Sequence, residues 1–223
     1  ISSLSTTGLG DYDATKADGS AFPQGTVTNS WKSYTLSMDR GVKFSLDRTD
    51  PNDTAFLVTA ENVIREFARN ALVKEQDTYR INKLYTLAAA DAAHKATHIV
   101  TAALSKTNAI ATVTGLLQTV RDDAEEMDGY VALISHKHKS AFLEAATGTY
   151  HSISFGNAVA INGVTYENVM MLDDLPCIFV PQSRMQTAIT AQSGDSNNGG
   201  IVAGASTKDI SCLITHCETP LAV

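Results

Sequence analysis

The spacing of apolar and polar positions changes several times along the chain, and each change predicts an element. Residues 1–30 are rich in Ser, Thr, Gly and Asp, with Gly8, Gly10, Gly19, Pro23 and Gly25 among them. Such a stretch has little with which to bury a core, and it reads as an extended arm. Over residues 34–47 the pattern becomes strictly alternating. Tyr34, Leu36 and Met38 interleave with Thr35, Ser37 and Asp39, and Val42, Phe44 and Leu46 interleave with Lys43, Ser45 and Asp47. Asp39-Arg40-Gly41 between them fits a three-residue hairpin loop, with Gly41 supplying a positive φ. Two strands alone are marginal in water, so this hairpin is expected to need something to pack on.

After Asp50-Pro51-Asn52-Asp53 the period becomes helical. Thr59 is the expected N-cap and Glu61 sits where the helix dipole favours an acid. Val63, Ile64, Phe67, Ala71, Tyr79, Leu84 and Leu87 recur at helical spacing, with no Pro or Gly from about residue 60 to about residue 90. A helix of that length is roughly 45 Å long and would act as a spine shared by more than one lobe.

A second helix is predicted over 105–127 from Ile110, Val113, Leu116, Leu117 and Val120, ending in Asp122-Asp123-Ala124-Glu125-Glu126. Residues 131–135 read as a buried strand and 140–146 as a short helix stopped by Gly148. Residues 158–161, 164–169 and 177–180 are strand candidates, with Asn162-Gly163 as a hairpin turn. Residues 191–200 form a polar, glycine-containing loop, and 210–215 a last core strand. The fold class is α+β, without the regular strand-helix alternation of nucleotide-binding folds.

Composition narrows the function classes. In 223 residues there are 17 Lys and Arg against 24 Asp and Glu, a net charge of -7, and no run of basic residues longer than His136-Lys137-His138-Lys139. That argues against specific nucleic-acid binding, which needs clustered cations to neutralise phosphates. Charged residues are only 18% of the chain, which suggests a surface partly covered by partners. No apolar stretch approaches the ~18 residues of a membrane-spanning helix. The three cysteines, Cys177, Cys212 and Cys217, lack the spacing of a disulfide framework and read as reduced packing residues. The chain opens at Ile1 without Met and stops at Val223 directly after an apolar run, so it reads as a piece of a longer protein.

No catalytic or cofactor constellation stands out. His94 and His98 are four apart, a spacing that can bind zinc, but Lys95 stands where His-Glu-x-x-His carries its glutamate. They read as histidines at a fraying helix end. His136 and His138 read as part of a solvated turn beside Lys137 and Lys139, and His216 with Cys212 and Cys217 reads as strand packing. There is no Gly-x-Ser-x-Gly elbow and no phosphate loop ending in Gly-Lys-Ser or Gly-Lys-Thr.

One ordered set of segments carries more. Gly8-Leu9-Gly10-Asp11-Tyr12-Asp13 is followed by the hairpin at 34–47 with its Asp39-Arg40-Gly41, and then by Asp53-Thr54. Glu66-Phe67-Ala68-Arg69, Glu75-Gln76-Asp77-Thr78-Tyr79-Arg80 and Lys83-Leu84 lie on the long helix. Val180-Pro181-Gln182-Ser183-Arg184-Met185-Gln186-Thr187 and Lys208-Asp209-Ile210-Ser211-Cys212-Leu213-Ile214-Thr215-His216 complete it. In order and over nearly the whole chain, this resembles the major capsid proteins of tailed bacteriophages and prophages of Gram-positive bacteria, with the Hong Kong 97-like coat fold. Lys74 stands where that family often has Pro, so the helix is expected to run unbroken, and the family chain continues past the His216 segment.

The resemblance implies an N-terminal arm over 1–30, an extension-loop hairpin over 31–56, a spine helix and peripheral domain over 57–100, and a mainly axial domain with returning peripheral strands over 101–223. It implies a non-enzymatic structural subunit with no cofactor or metal, assembling with itself into pentamers and hexamers of an icosahedral shell. Scaffold, portal and protease proteins would be further partners. The subunit would be made in the bacterial host cytoplasm and reside in the virion capsid, without membrane association. The subunit-interface residues it points to are Tyr34, Leu36, Met38, Arg40, Gly41, Val42, Phe44, Leu46, Arg184 and Met185. Lys32 and Lys43 read as ordinary surface lysines, and no covalent Lys-Asn crosslink is predicted. An encapsulin-like compartment shell shares the fold and is the alternative, separable by gene neighbours. A metal-dependent enzyme using the His94/His98 region is a third reading, separable by metal analysis.

Overall fold

The computed structural model describes residues 2–6, 27–31, 40–45, 59–145, 151–161, 163–192 and 199–217. The chain divides into two units, Ile1–Ser45 and Leu46–Val223. In the first, β1 (Ser2–Thr6) and β2 (Val27–Trp31) pair antiparallel, with Leu4 opposite Asn29. The two ends of the expected arm are thus joined by a ladder. Residues 40–45 carry no strand, and Gly41 does not adopt a positive φ. The expected bulged turn there is therefore corrected. A β-carbon added to Gly41 would meet only open space. Tyr34, Leu36, Met38 and Leu46 lie outside the described residues.

The described part of the second unit starts at Thr59, whose hydroxyl accepts from the Asn62 amide at 3.2 Å and caps the helix as expected. Helix α1 (Ala60–Phe67) passes through a π turn (Ala68–Leu72) into α2 (Val73–Ala90), so the helical path continues across Lys74. A short α3 (Lys95–His98) leads to α4 (Ala109–Ala124), which ends on Glu125 in the left-handed region. Strand β3 (Tyr130–Ser135), a 3₁₀ turn (His136–His138) and α5 (Lys139–Ala145) follow. The remainder is strand-rich: β4 (Ile153–Ile161), β5 (Val164–Leu172), β6 (Leu175–Val180), a 3₁₀ turn (Gln182–Arg184), β7 (Ile189–Gln192), β8 (Gly200–Ala203) and β9 (Cys212–His216). Of the expected Asn162-Gly163 turn, Gly163 takes φ 78, and Asn162 lies outside the described residues.

Five strands form one mixed sheet in the order β4-β5-β6-β3-β9, with β3 and β6 parallel and the other neighbours antiparallel. Strands β7 and β8 form a separate antiparallel pair. Helix α4 buries Ala109, Ile110, Val113 and Leu117, a spacing that makes a single stripe. This stripe packs with Phe142 of α5 on Tyr130, Ala132, Ile134, Met170, Leu172, Leu175 and Cys177 of the sheet. A second cluster joins Ile81 of α2 to Met185 and Ile210, with Leu133, Val180 and Leu213 packed against it. Ala132 and Ile134 face one cluster and the intervening Leu133 the other, because successive strand residues point to opposite faces. Strand β3 is therefore covered on both sides, which is why Val131-Ala132-Leu133-Ile134 is apolar without alternation. The fold is α+β.

Candidate assembly surface

The segment that carries Arg184 and Met185 is held from within the subunit. Asn82 of α2 is buried, and its Nδ2 donates to the carbonyl oxygens of Gln186 (3.1 Å) and Thr187 (3.0 Å). Gln186, also buried, donates through Nε2 to the Gln182 carbonyl (3.1 Å) and to Asp209 Oδ1 (3.2 Å), and accepts from Thr207 Oγ1 at 3.1 Å. Gln182 donates to the Met185 carbonyl at 2.9 Å and accepts from the buried Ser135 hydroxyl. Each of these buried polar side chains has a partner, which makes the network rigid rather than costly.

Arg184 Nη1 lies 2.7 Å from Asp77 Oδ2 of α2, so its guanidinium is engaged inside the chain. Met185 is fully buried between Ile81 and Ile210. The expectation that Met185 lies at a subunit interface is corrected, since its side chain has no surface to offer a neighbour. The pattern Pro181-x-x-Arg184-Met185 instead fastens the long helix across the sheet: one side chain pairs with the helix and the next fills the core beneath it. Arg40, Gly41, Val42 and Phe44 are exposed.

Two apolar surfaces that the sequence reading left out of the site stand uncovered in the second unit. From Ala60 to Asp77 no residue of the helical path is buried, and Ile64 is 61% exposed, with Leu72 and Val73 also exposed. The second is the outer half of the β4–β5 hairpin. Burial on β5 starts only at Val169, and Val164 and Tyr166 are 55% and 39% exposed. The signal was present in the helical spacing around Ile64 and in the apolar letters of the hairpin, but period alone does not say whether a face is covered.

Four of the six histidines, His94, His98, His151 and His216, lie against carboxylates. His94 Nδ1 lies 2.8 Å from Asp91 Oδ2, and His98 Nε2 lies 2.6 Å from Asp123 Oδ2. The hydrogen bond to Asp91 raises the His94 pKa and lowers that of Asp91. The two imidazoles stack with centroids 5.2 Å apart and planes within 17° of parallel. Lone pairs of face-to-face rings run in separate planes, so they do not meet at one ion about 2.0–2.1 Å from each nitrogen. Among the described residues no group of three or more His, Cys, Asp or Glu is placed to hold a metal. His136 and His138 lie in the 3₁₀ turn, where burial and the Lys137 charge lower the His138 pKa. His216 stacks edge-on against Tyr130.

None of the three cysteines forms a disulfide; burial pushes the thiol of Cys177 up and that of Cys212 up to about 12, so neither is a thiolate at neutral pH. An open, mainly apolar depression lined by Ala92, Lys95, Ala96, Ile99 and Thr101 has Lys95 as its one ionisable side chain. Among the described residues no helix is long and apolar enough to cross a membrane. No family model, curated protein or solved structure matches the chain.

Proposed function

We propose that this chain is a coat subunit: a structural protein that assembles with copies of itself into the icosahedral shell of a tailed phage or prophage, on a Hong Kong 97-like fold. The observation that carries the reading is an α+β body with two apolar surfaces exposed among its described residues. A helix-and-sheet unit gains nothing alone from exposing Ile64, Val164 and Tyr166, whereas association removes that area from water at about 25 cal/mol per Å².

Further support comes from the uninterrupted helical path Ala60–Ala90, long enough to span more than one lobe, and from the ordered segments that resemble this family. In the Pro181–Thr187 segment, the side chains of Gln182, Arg184, Gln186 and Thr187 are engaged in structure rather than presented to a substrate. A net charge of -7 suits a shell around packed DNA better than a protein gripping it. The partners on this reading are further copies of the chain, and its location is the virion capsid after synthesis in the host cytoplasm.

The test is electron microscopy of the protein expressed alone and together with its neighbouring genes. Closed shells or capsomer rings are expected. A chain that stays monomeric in both preparations overturns the reading.

A further inference from the structure

Two helix ends of the second unit carry charges of the wrong sign. Helix α2 closes on Asp91, whose amide still bonds to the Leu87 carbonyl at 3.2 Å. Helix α4 has Asp122 and Asp123 in its last turn, and Glu125 and Glu126 follow. The carbonyl end of a helix bears a partial negative charge, so acids there are unfavourable and cations favourable.

Helix α3 packs on both α2 and α4. His94 stands at its start and His98 at its end. His94 Nδ1 reaches back to Asp91 at 2.8 Å, and His98 Nε2 reaches Asp123 at 2.6 Å, 25 residues away in the chain. With the two rings stacked, the pair spans from the end of one helix to the end of the other.

The other charges of these elements are engaged elsewhere or have the wrong sign. Lys83, the nearest cation upstream on α2, lies over the Tyr79 ring. Lys95 of α3 lines the open depression with Ala92, Ala96 and Ile99. Lys106, before α4, faces Glu144. Arg121 of α4 pairs with Asp174 and lies over the Tyr130 ring. Glu126 lies 3.6 Å from His216, while Asp122 and Glu125 add negative charge at the α4 end. His94 and His98 are thus the cations placed against these carboxylates, and they are cations only when protonated.

With both rings protonated, two positive charges oppose Asp91 and Asp123. With both neutral, the carboxylates and the two helix ends face one another unopposed. Asp91, through its hydrogen bond and its charge, and then Asp123 raise the His94 pKa. The attraction at His94 is therefore complete below about 6.5 and is lost as pH rises through the raised value. Rings this close feel each other's charge, so the two titrate as a pair.

We propose that the stacked His94–His98 pair is a proton-operated clasp, which when protonated ties the end of α2 to the end of α4 through Asp91 and Asp123, and on deprotonation releases α3 from between them. His94 and Asp91 are nearly half exposed, so the expected effect is modest.

The test is deuterium exchange of the intact protein read by mass spectrometry, with each rate divided by its intrinsic value at that pH. The His98 and Ile99 amides bond to the His94 and Lys95 carbonyls. Their protection is expected to fall roughly threefold to tenfold between about pH 6 and about pH 8. His98→Gln, which can still donate to Asp123 but does not titrate, is expected to flatten most of that fall. Exchange at the imidazole C2 carbon gives the His94 midpoint. Asp123→Asn is expected to lower it and His98→Gln to raise it, since one removes a negative neighbour and the other a positive one. A His94 midpoint that moves with neither variant, or a protection profile unchanged in His98→Gln, overturns the clasp. Either result leaves the coat-subunit reading standing, because the clasp lies within one chain.

Discussion

Asn82→Ala is expected to weaken the fold out of proportion to the few atoms it removes. The side chain is buried and its Nδ2 donates to two main-chain carbonyls more than 100 residues away, Gln186 O and Thr187 O. The bond to Gln186 is buried, and that to Thr187 only partly so. Stranding a buried acceptor costs about 1–3 kcal/mol, while losing a bond that water can replace costs about 0.5–1.5 kcal/mol. Together they put the expected loss at roughly 2–4 kcal/mol. For a cooperative unit of this size that corresponds to a fall in Tm of roughly 4–16 °C.

The assay is urea denaturation followed by circular dichroism, with Thr86→Ala as the control. Thr86 is exposed and donates only to the Asn82 carbonyl one turn back, so its removal is expected to stay within about 0.5 kcal/mol. If Asn82→Ala unfolds within about 0.5 kcal/mol of the wild type, the joint between the helix and the Gln182–Thr187 segment does not hold the fold together, and the reasoning is refuted.

Three further expectations can be checked with the same purified protein. Met185→Ala, which empties a fully buried position beside Ile81 and Ile210, is expected to cost about 2–5 kcal/mol in the same urea titration, and a loss under about 1 kcal/mol would return Met185 to the surface. Gly129→Ala places a β-carbon against the His216 imidazole at a residue whose φ is 84, so a loss of at least about 1–3 kcal/mol is expected, and a neutral melt counts against the tight approach of these two residues.

The third is a pH dependence at the end of α2. The Asp91 pKa is lowered by its His94 bond, so its contribution is present above the ordinary carboxylate range of about 4 and is lost as pH falls through the lowered value. The His94 pKa is raised, so its contribution is complete below about 6.5 and fades as pH rises through the raised value. Hydrogen-exchange protection of the residue 91–95 amides, relative to their intrinsic rate at each pH, is therefore expected to be greatest between those limits. A His94 titration midpoint at or below about 6.5 by NMR would contradict the pairing.

Much of the local structure was legible in the residue pattern. Thr59 caps its helix because a hydroxyl there meets an amide three residues on, a short-range relation that any chain with those letters repeats. The stripe of α4 was likewise readable from the spacing of Ile110, Val113 and Leu117. The apolar run of β3 announced a buried strand. Strands β7 and β8 are four residues each and too short to establish a period, and 191–200 was read as one loop although its ends pair. The letters of Asp39-Arg40-Gly41 suit a bulged turn, but Gly41 takes no positive φ and residues 40–45 carry no strand.

The site divides the same way. The sequence by itself determined which positions are apolar, where helices and strands start, and that no familiar catalytic or phosphate-binding motif is spelled out. It marked Pro181–Thr187 as distinctive without saying that Met185 points into the core and Arg184 to Asp77, because both depend on partners about 100 residues away. It showed that Ile64 and Val164 lie on apolar stripes, as Ile81 and Val113 do, and could not distinguish the covered from the uncovered. Burial is a property of two surfaces, and periodicity describes only one of them, so which faces stayed open was decided by the tertiary structure alone.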